Sequence, residues 1–174
     1  MAMDINGFKQ ALKGGARPNQ FKVGLTFPDQ TGDINNILVT GASLPASTVN
    51  PAIIQYRGRE VKLAGERIFD PWTITIVNDA EMSLRQGFEA WMEKINSKEL
   101  NTAEGALLPE TYQLPITVTH LDRNEKALPG GHYTLVDAFP INMSEIALQY
   151  AQNDVIEEYT VTFQYQHYFV PDQR

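Results

Sequence analysis

The sequence predicts a mainly β protein, an antiparallel β-sandwich or barrel-like protomer carrying one α-helix over about Asn78–Asn96. Three observations predict it. Apolar and polar residues alternate at period two in several short runs. The clearest is at the C-terminal end, where Tyr159, Val161, Phe163, Tyr165, His167 and Phe169 fall on one face of an extended chain. A single stretch shows helical spacing instead, with Leu84, Phe88, Trp91, Met92 and Ile95 on one stripe. Apolar residues make up 43% and aromatic residues 10% of the 174 residues, which suits β structure and one sizeable core.

The chain reads as a single domain, residues 1–174. Residues 1–15 are expected to form an arm, mobile or docked on a neighbour, because Gly14-Gly15 ends any helical turn over Phe8–Leu12. Phe21, Val23, Leu25 and Phe27 alternate as a half-buried strand. The cluster Pro28–Asp33 is a turn, and Ile34–Thr40 is the next strand. Two prolines in Ser43–Pro51 interrupt regular pairing. Ile53–Arg67 then reads as a β-hairpin or extended arm with a charged tip or flank, and Trp72, Ile74 and Ile76 as one face of the following strand. Asn78 suits the helix N-cap, with Glu81 completing a capping box. Gly87, at a cost of about 1 kcal/mol against alanine, would allow a close approach to the sheet. Ser97–Thr111 is a long loop. Ile116–Leu121 and Tyr133–Phe139 are strands, with Pro129-Gly130-Gly131 a break and Pro140 a stop. Ile141–Tyr150 fits neither period. The last strand, Glu158–Phe169, would span roughly 40 Å at the usual rise and so should overhang its own subunit.

Composition narrows the function. The absence of cysteine excludes disulfides, thiol catalysis and cysteine zinc sites. A net charge of −7 argues against a chain that grips nucleic acid by displacing counterions. No apolar run approaches the ~18 residues of a membrane span, so membrane insertion by this chain is not expected. The N-terminus lacks the basic and apolar regions of a signal peptide, so the chain is expected to be made and kept in a cytoplasm or released by a route other than secretion.

No nucleophile elbow, P-loop or His-Glu-x-x-His motif occurs, and His120, His132 and His167 lie on separate predicted strands. The chain is therefore expected to be neither an enzyme nor a holder of a metal or cofactor. Arg57, Arg59, Lys62 and Arg67 form the one basic cluster, with Tyr56 its only interleaved aromatic. Glu60 and Glu66 dilute it, which favours contact with an acidic protein surface over nucleic acid. Leu107 and Leu108, in the long loop, call for a partner to cover them. Thr73/Thr75, Thr117/Thr119 and Thr160/Thr162/Gln164/Gln166 give three strands a polar, uncharged face opposite an apolar one. Such strands suit an antiparallel sheet wet on one side, or the inside of a water-filled barrel.

The segments Ala16–Phe21 and Ser43–Ala46, and above all Val61-x-Leu63-Ala64-Gly65-Glu66-Arg67-x-Phe69-Asp70-x-Trp72-Thr73-Ile74-Thr75-Ile76-x-Asn78-Asp79, resemble the tail tube proteins of contractile-tailed, T-even-type phages. The helix with Arg85, Phe88 and Trp91 continues the resemblance, which spans about residues 16–170. It implies a protomer that joins hexameric rings with a continuous inner β-barrel. The rings would stack into a tail tube inside a contractile sheath, and DNA would cross the bore without specific binding. The implied partners are further copies of the chain, the tail sheath protein, baseplate hub and tube-initiating proteins, a tape measure protein in the bore and a tail terminator. The implied location is the virion, after assembly in the host cytoplasm. On this reading Tyr56, Arg57, Arg59, Lys62, Arg67, Leu107 and Leu108 belong to subunit interfaces, and Thr160, Thr162, Gln164 and Gln166 face the lumen. The tube of a bacterial contractile injection or type VI secretion system, carrying protein effectors, is the alternative. A sugar- or peptide-binding β-sandwich module would share the fold class but stay monomeric.

Overall fold

The computed structural model describes residues 4–28, 36–103, 108–151 and 153–171. Among these the elements run α1 Ile5–Leu12, β1 Phe21–Gly24, β2 Val39–Ala42, β3 Ser47–Tyr56, β4 Arg59–Phe69, β5 Trp72–Val77, α2 Ser83–Ile95, β6 Leu114–Leu121, β7 Ala127–Met143, β8 Glu158–Gln164 and β9 His167–Phe169. All strand pairs are antiparallel. Seven strands form one sheet in the order β1-β6-β7-β8-β5-β2, with β9 also on β7, and β3 and β4 form a separate two-stranded ribbon.

β7 joins the two halves of the large sheet. Its earlier part pairs with β6 and β9, and Phe139–Met143 pairs with β8. Between them Asp137 sits at φ 56 beside a register shift against β6, the mark of a bulge that bends a strand. Both halves then contribute to one core. Val23, Ile116, Val118 and Leu135 come from one side, and Trp72, Ile74, Ile76, Tyr159, Val161 and Phe163 from the other. Leu84, Phe88 and Trp91 of α2 complete it. Two indole N–H groups are satisfied inside this apolar setting. Trp72 Nε1 donates to the Ser43 carbonyl at 2.6 Å and Trp91 Nε1 to the Tyr112 carbonyl at 2.8 Å.

Several expectations are corrected. Among the described residues there are two α-helices, since Ile5–Leu12 forms a full helix capped by Asp4, whose side chain accepts from the Asn6 N–H. The main helix begins at Ser83, not near Asn78. Asn78 pairs with Glu157 instead, and Asp79 does the capping by accepting from both the N–H and the hydroxyl of Ser83. Those bonds hold the Asp79 carboxyl below its ordinary value. Of Ser43–Pro51 only 43–46 lies outside a strand: β3 starts at Ser47 and takes Pro51 in at a register shift. Pro129-Gly130-Gly131 and Pro140 do not break β7. Gly130, at φ +71, and a shifted register absorb the first, and Pro140 lies next to another register shift, where a missing N–H costs less. The expected strand over Ile34–Thr40 is a 3-10 turn at Asn36–Leu38 followed by β2, with 34 and 35 outside the described residues.

The long terminal strand is two strands. β8 ends at Gln164 and β9 starts at His167 on a different stretch of β7. The alternation slips there. Gln166 and His167 are both exposed, and Tyr168, not His167 or Phe169, turns inward to meet Phe69 and Tyr133.

Gly87 does admit a close approach, but to a ring rather than to a strand. A Cβ there would lie 3.0–3.3 Å from three atoms of the Phe27 ring, which is wedged edge-on against Phe88 and Trp91. Gly87→Ala is therefore expected to gain roughly 1 kcal/mol of helix propensity but to lose about 1–3 kcal/mol to overpacking against the Phe27 ring, for a net destabilisation of up to about 2 kcal/mol. A urea titration giving a higher midpoint for the variant would refute this.

Candidate functional site

Two surfaces concentrate the residues singled out by sequence. The first is the outer face of β7-β8-β5-β2. Thr73 lies opposite Thr162 and Thr75 opposite Thr160, and Asn142 flanks Thr162 on the other side. The Thr73 and Thr162 hydroxyls are 3.0 Å apart. Gln164 ends the row, and the exposed Glu158 begins it. No lysine or arginine occurs in β2, β5, β8 or Phe139–Met143. The face is thus a band of short hydroxyl and amide groups that partly satisfy one another. Thr117 and Thr119 lie elsewhere, on β6, where Thr119 Oγ1 meets His132 Nδ1 at 2.7 Å. Gln166 leaves the row, because it falls in the break between β8 and β9 with its N–H on the Val136 carbonyl.

This band has free edges at both sides among the described residues. β2 pairs only with β5. Past Ala138, β7 pairs with β8 alone. Unpaired N–H and C=O groups along a flat edge are a template for another strand.

The second surface is the β3–β4 ribbon. Arg57 at φ 49 and Gly58 at φ 79 supply the positive dihedrals of a two-residue hairpin turn. Its base is held by Tyr165 Oη donating to the Ala46 carbonyl, by Ser47 Oγ near Tyr168 Oη, and by Phe69 packed on Tyr165 and Tyr168. From Ser47 to Tyr56 the strand projects about 30 Å at the ordinary rise per residue, and nearly every residue of the ribbon is exposed.

The register sorts the basic cluster. Tyr56/Arg59, Ile54/Val61 and Ala52/Leu63 share one face; Gln55/Glu60 and Ile53/Lys62 share the other. Lys62 therefore points away from Arg59. Arg67 is at the base, opposite Val49, and donates to Ser47 Oγ. Arg57 folds over the Tyr56 ring at 5.5 Å. Sequence reading named Tyr56 but missed the apolar side it shares with Ile54, Val61 and Leu63, all 41–62% exposed. The signal lay in the turn: with two loop residues at Arg57-Gly58, the register and hence the face of each side chain follow. Leu108 is exposed, and Leu107 lies outside the described residues.

Among the described residues no group of three or more His, Asp or Glu side chains is placed to hold a metal. His120 Nε2 is within 2.8 Å of the Arg17 carbonyl, and Asp122 accepts two backbone N–H bonds in its turn. Tyr159, whose burial pushes its hydroxyl up to about 12, lies under the Arg85 guanidinium in the core.

The profile of the family described as phage tail tube protein matches residues 16–171. The tail tube protein gp19 of Enterobacteria phage T4 is 28% identical over 162 residues, covering 92% of this chain and 96% of that one. The tail tube protein of Serratia phage KSP90 is 26% identical over 170 residues, covering 92% and 93%. In fold, the chain resembles one in the cryo-EM structure of the anti-feeding prophage baseplate, with a TM-score of 0.63 at 16% identity over 88% of this chain and 93% of that one. It also resembles one in the sheath-tube complex of an extracellular contractile injection system in the extended state. There the TM-score is 0.57 at 16% identity over 97% of each chain.

Proposed function

The chain belongs to the phage tail tube protein family, and from that premise we propose that it closes into hexameric rings whose β7-β8-β5-β2 bands join edge to edge around a bore. The rings stack into the tube of a contractile phage tail, a virion component, and DNA leaves the particle through the bore.

The observation that carries this reading is the sense of the strands. Each neighbour in the band is antiparallel, and the band has four strands, so β7 and β2 run oppositely. Rotation about an axis along the strands brings β2 of one copy beside the end of β7 in the next, again antiparallel. The band thus continues around a ring with no mismatch, and the two free edges vanish. A heterologous contact that closes by rotation is what builds a ring.

The band's chemistry fits the cargo. With no cation on it, a passing phosphate backbone finds nothing that would displace its counterions and hold it. Thr160, Thr162 and Gln164 face the lumen. Tyr56, Arg57, Arg59, Lys62, Arg67 and Leu108 meet neighbouring subunits, and residues 1–15 serve as an arm on the same domain. The fold recurs in the baseplate and the tube-terminating cap of the anti-feeding prophage and in the sheath-tube complex of an extracellular contractile injection system. That recurrence supports a tail sheath protein around the tube, baseplate hub and tube-initiating proteins at one end and a tail terminator at the other. The tape measure protein occupies the bore before DNA does. Full-length similarity in sequence runs to phage tail tube proteins, whereas the injection-system likeness is one of fold. The same relatives support a structural role rather than a catalytic one.

Negative-stain electron microscopy of the purified chain, alone and after addition to tail baseplates, tests the reading. Rings or tubes with an open axial channel are expected in at least one condition. A monomer that persists in both would overturn it.

A further inference from the structure

Between β7 and β8 the described residues 144–151 and 153–157 belong to neither strand nor helix. Both ends are stapled to the sheet. The Ser144 N–H donates to the Thr160 carbonyl and Ser144 Oγ accepts from the Thr160 N–H, while the Asn78 N–H donates to the Glu157 carbonyl. Between the staples the loop leaves Leu148, Tyr150, Val155 and Ile156 in water, at 68–107% exposure. They border an open groove of about 1100 Å³ whose lining includes Asp154 and Glu157. Leaving such side chains wet costs each about 1.5–3 kcal/mol of burial, so a groove of this kind is built to be covered.

Resting on the tube reading above, we propose that the groove receives the tip of the β3–β4 ribbon from a second copy of this chain. The two surfaces match in three respects. The ribbon offers a flat apolar side, Ile54, Tyr56, Val61 and Leu63, to an apolar floor. It carries Arg57 and Arg59 at that end, against Asp154 and Glu157. It is also a lone two-stranded ribbon, a structure only marginally stable in water until something packs on it. Its length takes the tip beyond its own core, so the cover comes from another subunit. The exposed stripe of α1, Ile5, Phe8 and Leu12, is the competing occupant. It brings Lys9 and Lys13 but no arginine, and an eight-residue helix is marginal by itself.

The chain has no cysteine, so introduced pairs report cleanly. Tyr56→Cys combined with Val155→Cys, assembled into tubes and oxidised, is expected to convert most subunits into a ladder of disulfide-linked multimers on a non-reducing gel. Either single variant is expected to stop at dimers or less. Tubes that form without the ladder overturn the proposal, as does a ladder given instead by Phe8→Cys with Val155→Cys; both leave the tube reading standing. A wild-type chain that forms no tube on baseplates overturns the tube reading itself. If the cysteine pair blocks assembly, charge exchange decides. Asp154→Arg with Glu157→Arg is expected to reduce tube yield at least tenfold, and adding Arg57→Glu and Arg59→Glu to restore it. Failure to restore overturns the proposal.

Discussion

Reversing Arg57 and Arg59 together to glutamate is expected to abolish tube growth and leave a folded subunit. The folding side of this is small. Both residues are exposed at the end of a ribbon that projects from the core, and surface changes of that kind usually stay within about 0.5 kcal/mol. Arg57 already holds a positive φ as a non-glycine residue, so glutamate meets no new backbone penalty. The assembly side is large. A buried charge pair that loses one member costs about 2–5 kcal/mol at a single contact, and reversal adds repulsion against the acidic surface opposite. The same contact recurs in every subunit of every ring, so the deficit multiplies. Electron microscopy and a thermal melt together check this. No tubes with an unchanged Tm is the expected pair of results, and tubes of normal length and number would remove these arginines from the interface.

How much of this could be read from the chain depends on where the information lies. The core rows Trp72/Ile74/Ile76 and Tyr159/Val161/Phe163, and the stripe Leu84/Phe88/Trp91, were legible because burial imposes its period directly on neighbouring letters. The hairpin over Ile53–Arg67 was legible, as a hairpin or an extended arm, from the alternation of Val61 and Leu63 with Lys62, although the ribbon is exposed. What is set by a partner strand was not. The letters alternate evenly from Glu158 to Phe169, but β7 is itself bulged, and the chain must break at Tyr165-Gln166 to meet its second segment. Nothing in the local pattern records a register shift on another strand. Pro140 and Pro51 misled in the same way, since a proline stops a strand only where its N–H is needed in the ladder. Of the candidate surfaces, the threonine band was visible row by row, and only the register placed Thr73 against Thr162. The basic cluster was visible as composition, and only the register turned Lys62 away from Arg59. Ile141–Tyr150 fitted neither period because its first three residues end β7 and the rest belong to neither sheet nor helix.

The remaining prediction concerns the bore. Thr162→Lys is expected to leave tube assembly intact and to cut infectivity by about tenfold or more, because each lysine that meets a phosphate displaces counterions and gains affinity for the moving strand. Thr162 sits mid-row, between Thr73 on β5 and Asn142 on β7, on the face that makes no core contact, so a longer side chain has open space before it. Losing the 3.0 Å contact to the Thr73 hydroxyl leaves that hydroxyl to water on a wet face, at little cost to folding. The charge appears once per subunit and therefore as a cationic circle in every ring, each a brake on passage. Thr162→Glu is the matching control: similar bulk, opposite sign, no affinity for phosphate, and so near-normal plaque counts. The measurement is plaque titre beside tail morphology, with ejection followed at two salt concentrations. Added salt should relieve the lysine defect and leave the glutamate variant unchanged, since screening weakens only the attraction. If Thr162→Lys infects as well as the parent, the band formed by β7, β8, β5 and β2 does not face the DNA, and the ring must close through other edges.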